Sequence, residues 1–165
     1  MREVTISSIV FEYDTLEELT FDDQELVRFS HKSAADAYAP YSGFRVGASV
    51  RLDNGEIITG NNQENAAYPS GICAERVALF YANARYPGLS VIAIAISALK
   101  HDGSYTEYPV FPCGSCRQVI LETASRYDVE PRLILAGKNK IQVVKSIKDI
   151  LPLFFDKGSL NDIPR

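Results

Sequence analysis

The sequence predicts a single three-layer α/β/α domain with a mixed five-stranded sheet, plus an extra N-terminal strand. Three observations lead to this fold class. Segments that alternate with the two-residue period of strands are interleaved with segments of helical periodicity. The segment 91–98 is apolar nearly throughout, which is typical of a strand buried on both faces. The 165 residues suit one domain with a sizeable core, and no linker or internal repeat divides them.

The first predicted element is a strand from Val4 to Tyr13. Its apolar residues alternate but change phase midway, which indicates a bulge or a break. We assign residues 1–20 to an N-terminal strand extension and residues 21–165 to the domain itself.

The first predicted helix spans residues 23–39, with Asp22 as its N-cap and Pro40 at its end. A β-hairpin follows, because Asp53-Asn54-Gly55 is a strong turn sequence between two strand-like runs, 44–52 and 56–62. The second half continues with a helix from Ile72 to Tyr86, a strand over 91–98, a helix from Cys113 to Tyr127, strands over 132–136 and 141–145, and a last short helix after Ser146 that Pro152 ends.

Composition narrows the classes of partner. The net charge of −4 and the pI near 5.2 count against a nucleic-acid partner, which a basic patch usually binds. No apolar run approaches the length of a membrane span, and residues 1–4 lack the apolar h-region that is typical of a signal peptide. An odd number of cysteines, three, argues against a disulfide framework and suits a reducing compartment. We therefore expect a cytoplasmic protein without a nucleic-acid or membrane partner.

The cysteines occur in two short motifs, Cys73-Ala74-Glu75-Arg76 and Pro112-Cys113-Gly114-Ser115-Cys116-Arg117. Three thiolates can occupy three corners of a zinc tetrahedron, and the open fourth corner distinguishes a catalytic site from a structural one. Glu75 would stand beside that corner as a proton-transfer group. The motifs therefore predict one Zn²⁺ per chain, held by Cys73, Cys113 and Cys116, with Glu75 as the catalytic residue.

Other interpretations of the cysteines fit less well. A Cys-x-x-Cys pair alone also occurs in redox motifs and in half zinc ribbons, and buried thiols can be plain core. A redox pair would leave Cys73 idle and give Glu75 no task. A closed structural site needs a fourth ligand, and His31 and His101 have no ligand-like spacing. Both motifs also fall at predicted helix N-termini, where the helix dipole favours thiolates.

Arg76 follows Cys73 by three residues and would share its helix face. Three thiolates leave Zn²⁺ with a net charge of −1, which weakens its effect on a bound water. The guanidinium could hydrogen-bond the sulfurs and offset part of this charge. Arg76 is thus a candidate for the shell around the zinc ligands, and the alternative is an ordinary surface arginine.

Four segments together resemble the cytidine deaminases of the small homotetrameric type with a three-cysteine zinc. They occur in the family's order: Tyr38-Ala39-Pro40-Tyr41-Ser42-Gly43-Phe44-Arg45-Val46-Gly47-Ala48, Gly60-Asn61-Asn62-Gln63-Glu64-Asn65-Ala66, Cys73-Ala74-Glu75-Arg76 and Pro112-Cys113-Gly114-Ser115-Cys116-Arg117-Gln118. Arg45 stands where the family's motif has proline, so the resemblance leaves the shape of that loop open.

The resemblance implies hydrolytic deamination of cytidine and 2′-deoxycytidine to the uridines, with release of ammonia, as in pyrimidine salvage. It implies that the active sites of a homotetramer are shared between subunits. It also implies these substrate contacts: Phe44 against the pyrimidine, Asn62 and Glu64 at the ribose hydroxyl, the Ala74 backbone N–H at the base carbonyl, Phe155 in a neighbour's pocket and Tyr68 near a subunit junction.

Two alternatives remain at this point. The first is a deaminase of another substrate: a nucleotide, nucleic acid, a nucleoside antibiotic or another cytosine derivative. Glu64 would repel a 5′-phosphate, and no Lys or Arg cluster flanks residues 60–76 to compensate, but an antibiotic stays open. The second alternative is a non-catalytic zinc-binding module, against which an intact Glu75 argues.

Overall fold

The structure is a computed structural model that describes residues 1–161 of the chain. Its strands are β1 (Phe11–Tyr13), β2 (Arg45–Leu52), β3 (Ile57–Asn61), β4 (Val91–Leu99), β5 (Arg132–Ala136) and β6 (Ile141–Val144). Its α-helices are α1 (Phe21–Ala35), α2 (Ala74–Arg85), α3 (Gly114–Tyr127) and α4 (Lys157–Leu160). The strands form one sheet in the order β1-β6-β5-β4-β2-β3, in which β4 and β5 are parallel and the other neighbours antiparallel. This confirms the predicted fold class.

The two faces of the sheet are covered by different helices, which produces the three layers. On β4, Ile94 and Ile96 belong to the core beneath α2 and α3, whereas Ala93 and Ala95 belong to the core beneath α1. The strand is buried on both faces, as its apolar sequence predicted.

Two glycines let helices approach the sheet closely. A Cβ on Gly47 would lie 2.1 Å from the Ser30 carbonyl oxygen of α1. A Cβ on Gly60 would lie 2.5 Å from the Ala78 nitrogen and 2.6 Å from the Ala74 carbonyl oxygen of α2. Gly60 therefore allows the first turn of α2 to pack directly on β3, and this contact sets the position of the first cysteine motif.

The N-terminal strand is shorter than predicted. Only Phe11–Tyr13 pair with β6, and residues 1–10 have no regular structure and are exposed. The apolar alternation before Phe11 finds no neighbouring strand in the described chain, so no ladder forms there. The link to α1 packs instead through Leu19, which is buried in the α1-side core.

Helix α1 begins and ends earlier than predicted. Thr20, rather than Asp22, is the N-cap, and its hydroxyl accepts a hydrogen bond from the Asp23 N–H. Its end lies at Ala35 because the following chain pairs elsewhere: the Tyr38 N–H donates to the Asn62 carbonyl, and the Tyr38 carbonyl accepts from the Glu64 N–H. This pairing places the loop after α1 beside the end of β3.

The C-terminal region departs from the sequence prediction in its helices. Ser146 caps only a single 3-10 turn, Ile147–Asp149, through its hydroxyl. The short helix α4, capped by Asp156, was not predicted. Along residues 1–161, no helix has the length and apolar character needed to cross a membrane.

Candidate active site

The three cysteines meet at the N-termini of α2 and α3. Cys73 is the N-cap of α2, Cys113 is the N-cap of α3, and Cys116 lies in the first turn of α3. Their sulfur atoms all lie within 4.8 Å of one another, with 3.9 Å between Cys73 and Cys113 and 3.5 Å between Cys113 and Cys116. A zinc tetrahedron with Zn–S bonds of about 2.3 Å requires sulfurs about 3.8 Å apart. The spacing therefore fits Zn²⁺.

The surroundings of Cys73 favour the thiolate, which is the charged form that binds metal. A hydrogen bond from Cys116, together with others from Arg76 and Cys113, lowers the pKa of Cys73 to about 5. The same bond to Cys73 and its own burial raise the pKa of Cys116, so the sulfurs share protons until a cation displaces them. Soft thiolates in this number and spacing are ligands that zinc prefers. The cluster accordingly fits a zinc cofactor.

Arg76 lies against the cluster. Its Nη2 donates to the Cys73 sulfur over 3.8 Å, and the thiolates raise the pKa of the guanidinium. Its Nε is buried and has no hydrogen-bond partner among the described residues. The guanidinium therefore interacts with the cysteine sulfurs, and Arg76 is not an ordinary surface arginine.

Glu75 is the titratable side chain beside the cluster that is buried most deeply, with 4% of its surface exposed. Burial, and next the charge of Cys73, raise the pKa of its carboxyl. A carboxyl with a raised pKa can both accept and donate protons near neutral pH.

Cys73 and Cys113 of the cluster line a cavity of about 640 Å³, whereas Cys116 is fully buried and is not a lining residue. The walls of the cavity come from the start of α2, the end of β3, the loop after α1 and the chain before α3. The predicted residues that line it are Asn62, Glu64, Tyr68, Cys73, Ala74, Glu75, Arg76 and Cys113. This volume is in the range of about 300–1,000 Å³ that small-molecule sites occupy.

Asn62 and Glu64 hold the loop after α1 in place. The Asn62 side chain accepts from the Val46 N–H at 2.6 Å and donates to the Phe44 carbonyl at 3.0 Å. The Glu64 carboxylate accepts from the Tyr41 N–H at 2.8 Å and from the Ser42 hydroxyl at 2.5 Å. These bonds, the Ser42 one first, lower the pKa of Glu64, so its carboxylate stays ionised at neutral pH.

Two predicted contact residues lie outside the cavity wall. Phe44 and Phe155 are both exposed and are not among the lining residues. The Gln118 amide donates to the Phe155 carbonyl, which fixes that backbone on α3. Arg45 also points elsewhere, since its guanidinium donates weakly to the Ala35 carbonyl over 3.4 Å. Arg45 is not among the residues that line the cavity.

Sequence reasoning did not assign several residues of the wall. They are Tyr41, Ser42, Val46, Gln63, Asn65, Gly71, Ile72, Ile96, Val110 and Phe111. Val110 and Phe111 immediately precede the second cysteine motif, and this adjacency could have identified them. Tyr41 and Ser42 belong to the first matching segment, yet their bonds to Glu64 cross 22 or more positions and leave no local signal.

Comparisons with known proteins agree with this site. The family model described as the cytidine and deoxycytidylate deaminase zinc-binding region matches residues 20–129. A cytidine deaminase of Halalkalibacterium halodurans is 37% identical over 144 residues, which cover 86% of this chain and 99% of that protein. A cytidine deaminase of Mycobacterium tuberculosis is 33% identical over 139 residues, covering 81% of this chain and 87% of that protein.

Solved structures give the same answer. The crystal structure of cytidine deaminase from Burkholderia pseudomallei superposes with a TM-score of 0.69 at 35% identity and covers 83% of this chain and 100% of that one. These similarities favour a cytidine deaminase over a non-catalytic zinc module or a deaminase of a nucleoside antibiotic or another cytosine derivative. Because the family model spans more than half of the chain, and relatives above 30% identity align along most of it, the chain belongs to the cytidine and deoxycytidylate deaminase family.

Proposed function

We propose that the protein hydrolyses the exocyclic amine of cytidine and 2′-deoxycytidine, giving uridine or 2′-deoxyuridine and ammonia, as a step of pyrimidine salvage. One observation carries the proposal: a cluster of three zinc-competent thiols and a buried carboxyl, Glu75, lies at one nucleoside-sized cavity, which Cys73, Cys113 and Glu75 line. The thiols in the chain's own site suit a reducing cytoplasm.

The chemistry divides between the metal and Glu75. Cys73, Cys113 and Cys116 would hold Zn²⁺, which supplies the Lewis acidity that makes water nucleophilic at neutral pH. Glu75 would take the proton from the attacking water and deliver it to N3 of cytosine, so that C4 becomes electrophilic. The same carboxyl would then take a second proton, from the hydroxyl newly added at C4, and give it to the departing amine, which leaves as ammonia. The raised pKa of Glu75 suits both directions of transfer.

The remaining contacts position the nucleoside. The Ala74 N–H is in the first turn of α2, where N–H groups have no intrahelical acceptor, so it would donate to the base carbonyl. Asn62 and Glu64 would bind the ribose hydroxyl through the donor and acceptor positions that they do not already use to hold the loop after α1. Phe44 would pack on the pyrimidine. Among the described lining residues Arg76 is the one cation, and it lies against Cys73, which supports a nucleoside over a nucleotide.

The assembly we propose is a homotetramer in which Phe155 reaches a neighbour's cavity and Tyr68 lies at a junction. Phe155 and Tyr68 are 58% and 76% exposed, whereas the adjacent Phe154 packs on the core. Large exposed aromatic side chains are typical interface anchors. We further propose that residues 1–20 are an extension of a catalytic domain formed by residues 21–165, which agrees with a family match that begins at residue 20.

The decisive experiment is a side-by-side assay. Loss of ultraviolet absorbance is followed with cytidine, deoxycytidine, CMP and single-stranded DNA, using zinc-loaded protein. We expect turnover of both nucleosides and little or none of the other two. Turnover of DNA or CMP in preference to cytidine would refute the proposed substrate class.

A further inference from the structure

We propose that Ser42 is a positioning residue for the sugar of the nucleoside, because its hydroxyl fixes the direction of the Glu64 carboxylate. The proposal rests on the function proposed above, in which Glu64 meets a ribose hydroxyl. Ser42 itself would not need to contact the substrate.

The geometry sets the two oxygens of Glu64 apart. Oε1 accepts from the Ser42 hydroxyl at 2.5 Å. Oε2 accepts from the Tyr41 N–H at 2.8 Å and from the Ser42 N–H at 3.3 Å. Ser42 is the one side chain among the described residues that hydrogen-bonds this carboxylate, since the other two donors are backbone groups. Both Ser42 and Glu64 line the cavity.

These bonds leave Glu64 a restricted role. A carboxylate offers about four acceptor positions, and three are occupied here. A glutamate side chain has three rotatable bonds, so a carboxylate without such partners would lose entropy on binding a hydroxyl. With Oε1 tied to Ser42, the free position has a set direction before substrate arrives. Preorganisation of this kind raises affinity without altering the chemical step.

The hydroxyl also accepts from the Phe44 N–H at 3.0 Å, so a purely local role in the loop must be separated from positioning. Asn62 holds the same loop through Val46 and Phe44 without any help from Ser42. The loop should therefore persist in Ser42→Ala. Ser42→Thr keeps a hydroxyl and is the matched control.

The test compares cytidine with 2′,3′-dideoxycytidine, which lacks the sugar hydroxyls that Glu64 would bind. For cytidine we expect Ser42→Ala to raise KM about tenfold and to leave kcat within about twofold. This is the result expected when a hydrogen bond to a charged group is lost and that bond supports the bound substrate and the transition state equally. For the dideoxy substrate the KM of the variant and the parent should agree. Ser42→Thr should restore the cytidine KM, and Ser42→Ala should add little to Glu64→Gln.

An equal rise in KM for both substrates would overturn the proposal, because it would mean that the loop and not the carboxylate direction was lost. A second measurement needs no turnover: the titration of Glu64 by ¹³C NMR in zinc-loaded protein. We expect the Glu64 pKa to rise in Ser42→Ala, and an unchanged value would also overturn the proposal. Failure of the parent enzyme to deaminate cytidine would instead refute the proposed function, with the NMR result still deciding the role of Ser42.

Discussion

The sulfur atoms of Cys73 and Cys113 lie 3.9 Å apart, although 40 positions separate the two residues in the chain. Each is the N-cap of its helix, so the metal site exists only where α2 and α3 pack with their first turns together. Bonds farther along the same helices support this arrangement, since the Tyr127 hydroxyl donates to the Asn83 side chain. Zinc binding is therefore coupled to the packing of the two helices.

The first prediction concerns metal content. Purified protein should hold one zinc per chain, and Cys116→Ala should hold almost none, because two thiolates leave the tetrahedron half open. Metal analysis after dialysis measures this directly. The matched control is Ser115→Ala, in the same helical turn. Ser115 is exposed and is not a proposed ligand, so this variant should retain its zinc. Stoichiometric zinc in Cys116→Ala would contradict the assigned ligands.

The second prediction separates Glu75 from the metal. Glu75→Gln should keep the zinc and the fold but lose about 10²- to 10⁴-fold or more in kcat, because the amide can hydrogen-bond but cannot transfer a proton. Zinc content and circular dichroism are measured on the same sample as the assay. Turnover close to that of the parent, with full zinc, would exclude Glu75 as the proton carrier.

The third prediction concerns the substrate's phosphate. A 5′-phosphate about 6 Å from the Glu64 carboxylate would be repelled by roughly 3 kcal/mol per unit charge at an effective dielectric constant of about 20. We therefore expect kcat/KM for CMP to be about a hundredfold or more below that for cytidine. Glu64→Gln removes the negative charge, so we expect the difference in kcat/KM between cytidine and CMP to become smaller, although cytidine binding should also weaken. Equal efficiencies for CMP and cytidine in the parent would mean that the ribose site is misassigned.

The fourth prediction tests the shared site. Phe155→Ala should raise the KM for cytidine several-fold, since an aromatic contact contributes about 0.5–1.5 kcal/mol beyond burial. Zinc content and a four-subunit mass by light scattering should not change. Leu153→Ala, in the same segment and 83% exposed, is the matched control and should have less effect. A fully active monomer at micromolar concentration would rule out a site completed by a neighbour.

The fifth prediction is a pH dependence of stability. His31 is half-buried and stacks on Tyr105 with ring centroids 4.2 Å apart, and burial lowers the pKa of its imidazole. The unfolded chain then binds the proton more readily than the folded one. Stability from this group is complete above about pH 6.5 and is lost as the pH falls from there through the lower folded-state pKa.

Urea unfolding of the zinc-loaded protein between about pH 7 and pH 5 measures this effect. His31→Phe should lose less stability on acidification than the parent, because an aromatic ring that cannot be protonated takes the same place. His101→Asn, at the exposed second histidine, is the control. Parallel curves for the parent and His31→Phe would show that His31 does not contribute.

The sequence predicted the features that depend on neighbouring residues, but not those that depend on contacts between residues far apart in the chain. Strand β5 and the helices that begin at the cysteine motifs follow from local patterning and were predicted to within two residues of their bounds. The predicted end of α1 was wrong because Tyr38 pairs with the chain around Asn62. Neither a helix-capping residue nor the hydrophobic periodicity of the sequence indicates a partner so far along the chain. For the same reason the bonds that join Glu64 to Ser42 emerged only from the folded chain.

The short strand β1 has a consequence for the surface of the molecule. It occupies the outer side of β6, which would otherwise end the sheet there with unpaired N–H and C=O groups. Such an open edge is a template on which another chain can add a strand, and it leads to aggregation. At the new border, Lys140 forms ion pairs with Glu12 and Asp14, and such charges discourage further pairing. The three residues of β1 thus protect the enzyme from edge-to-edge aggregation at β6.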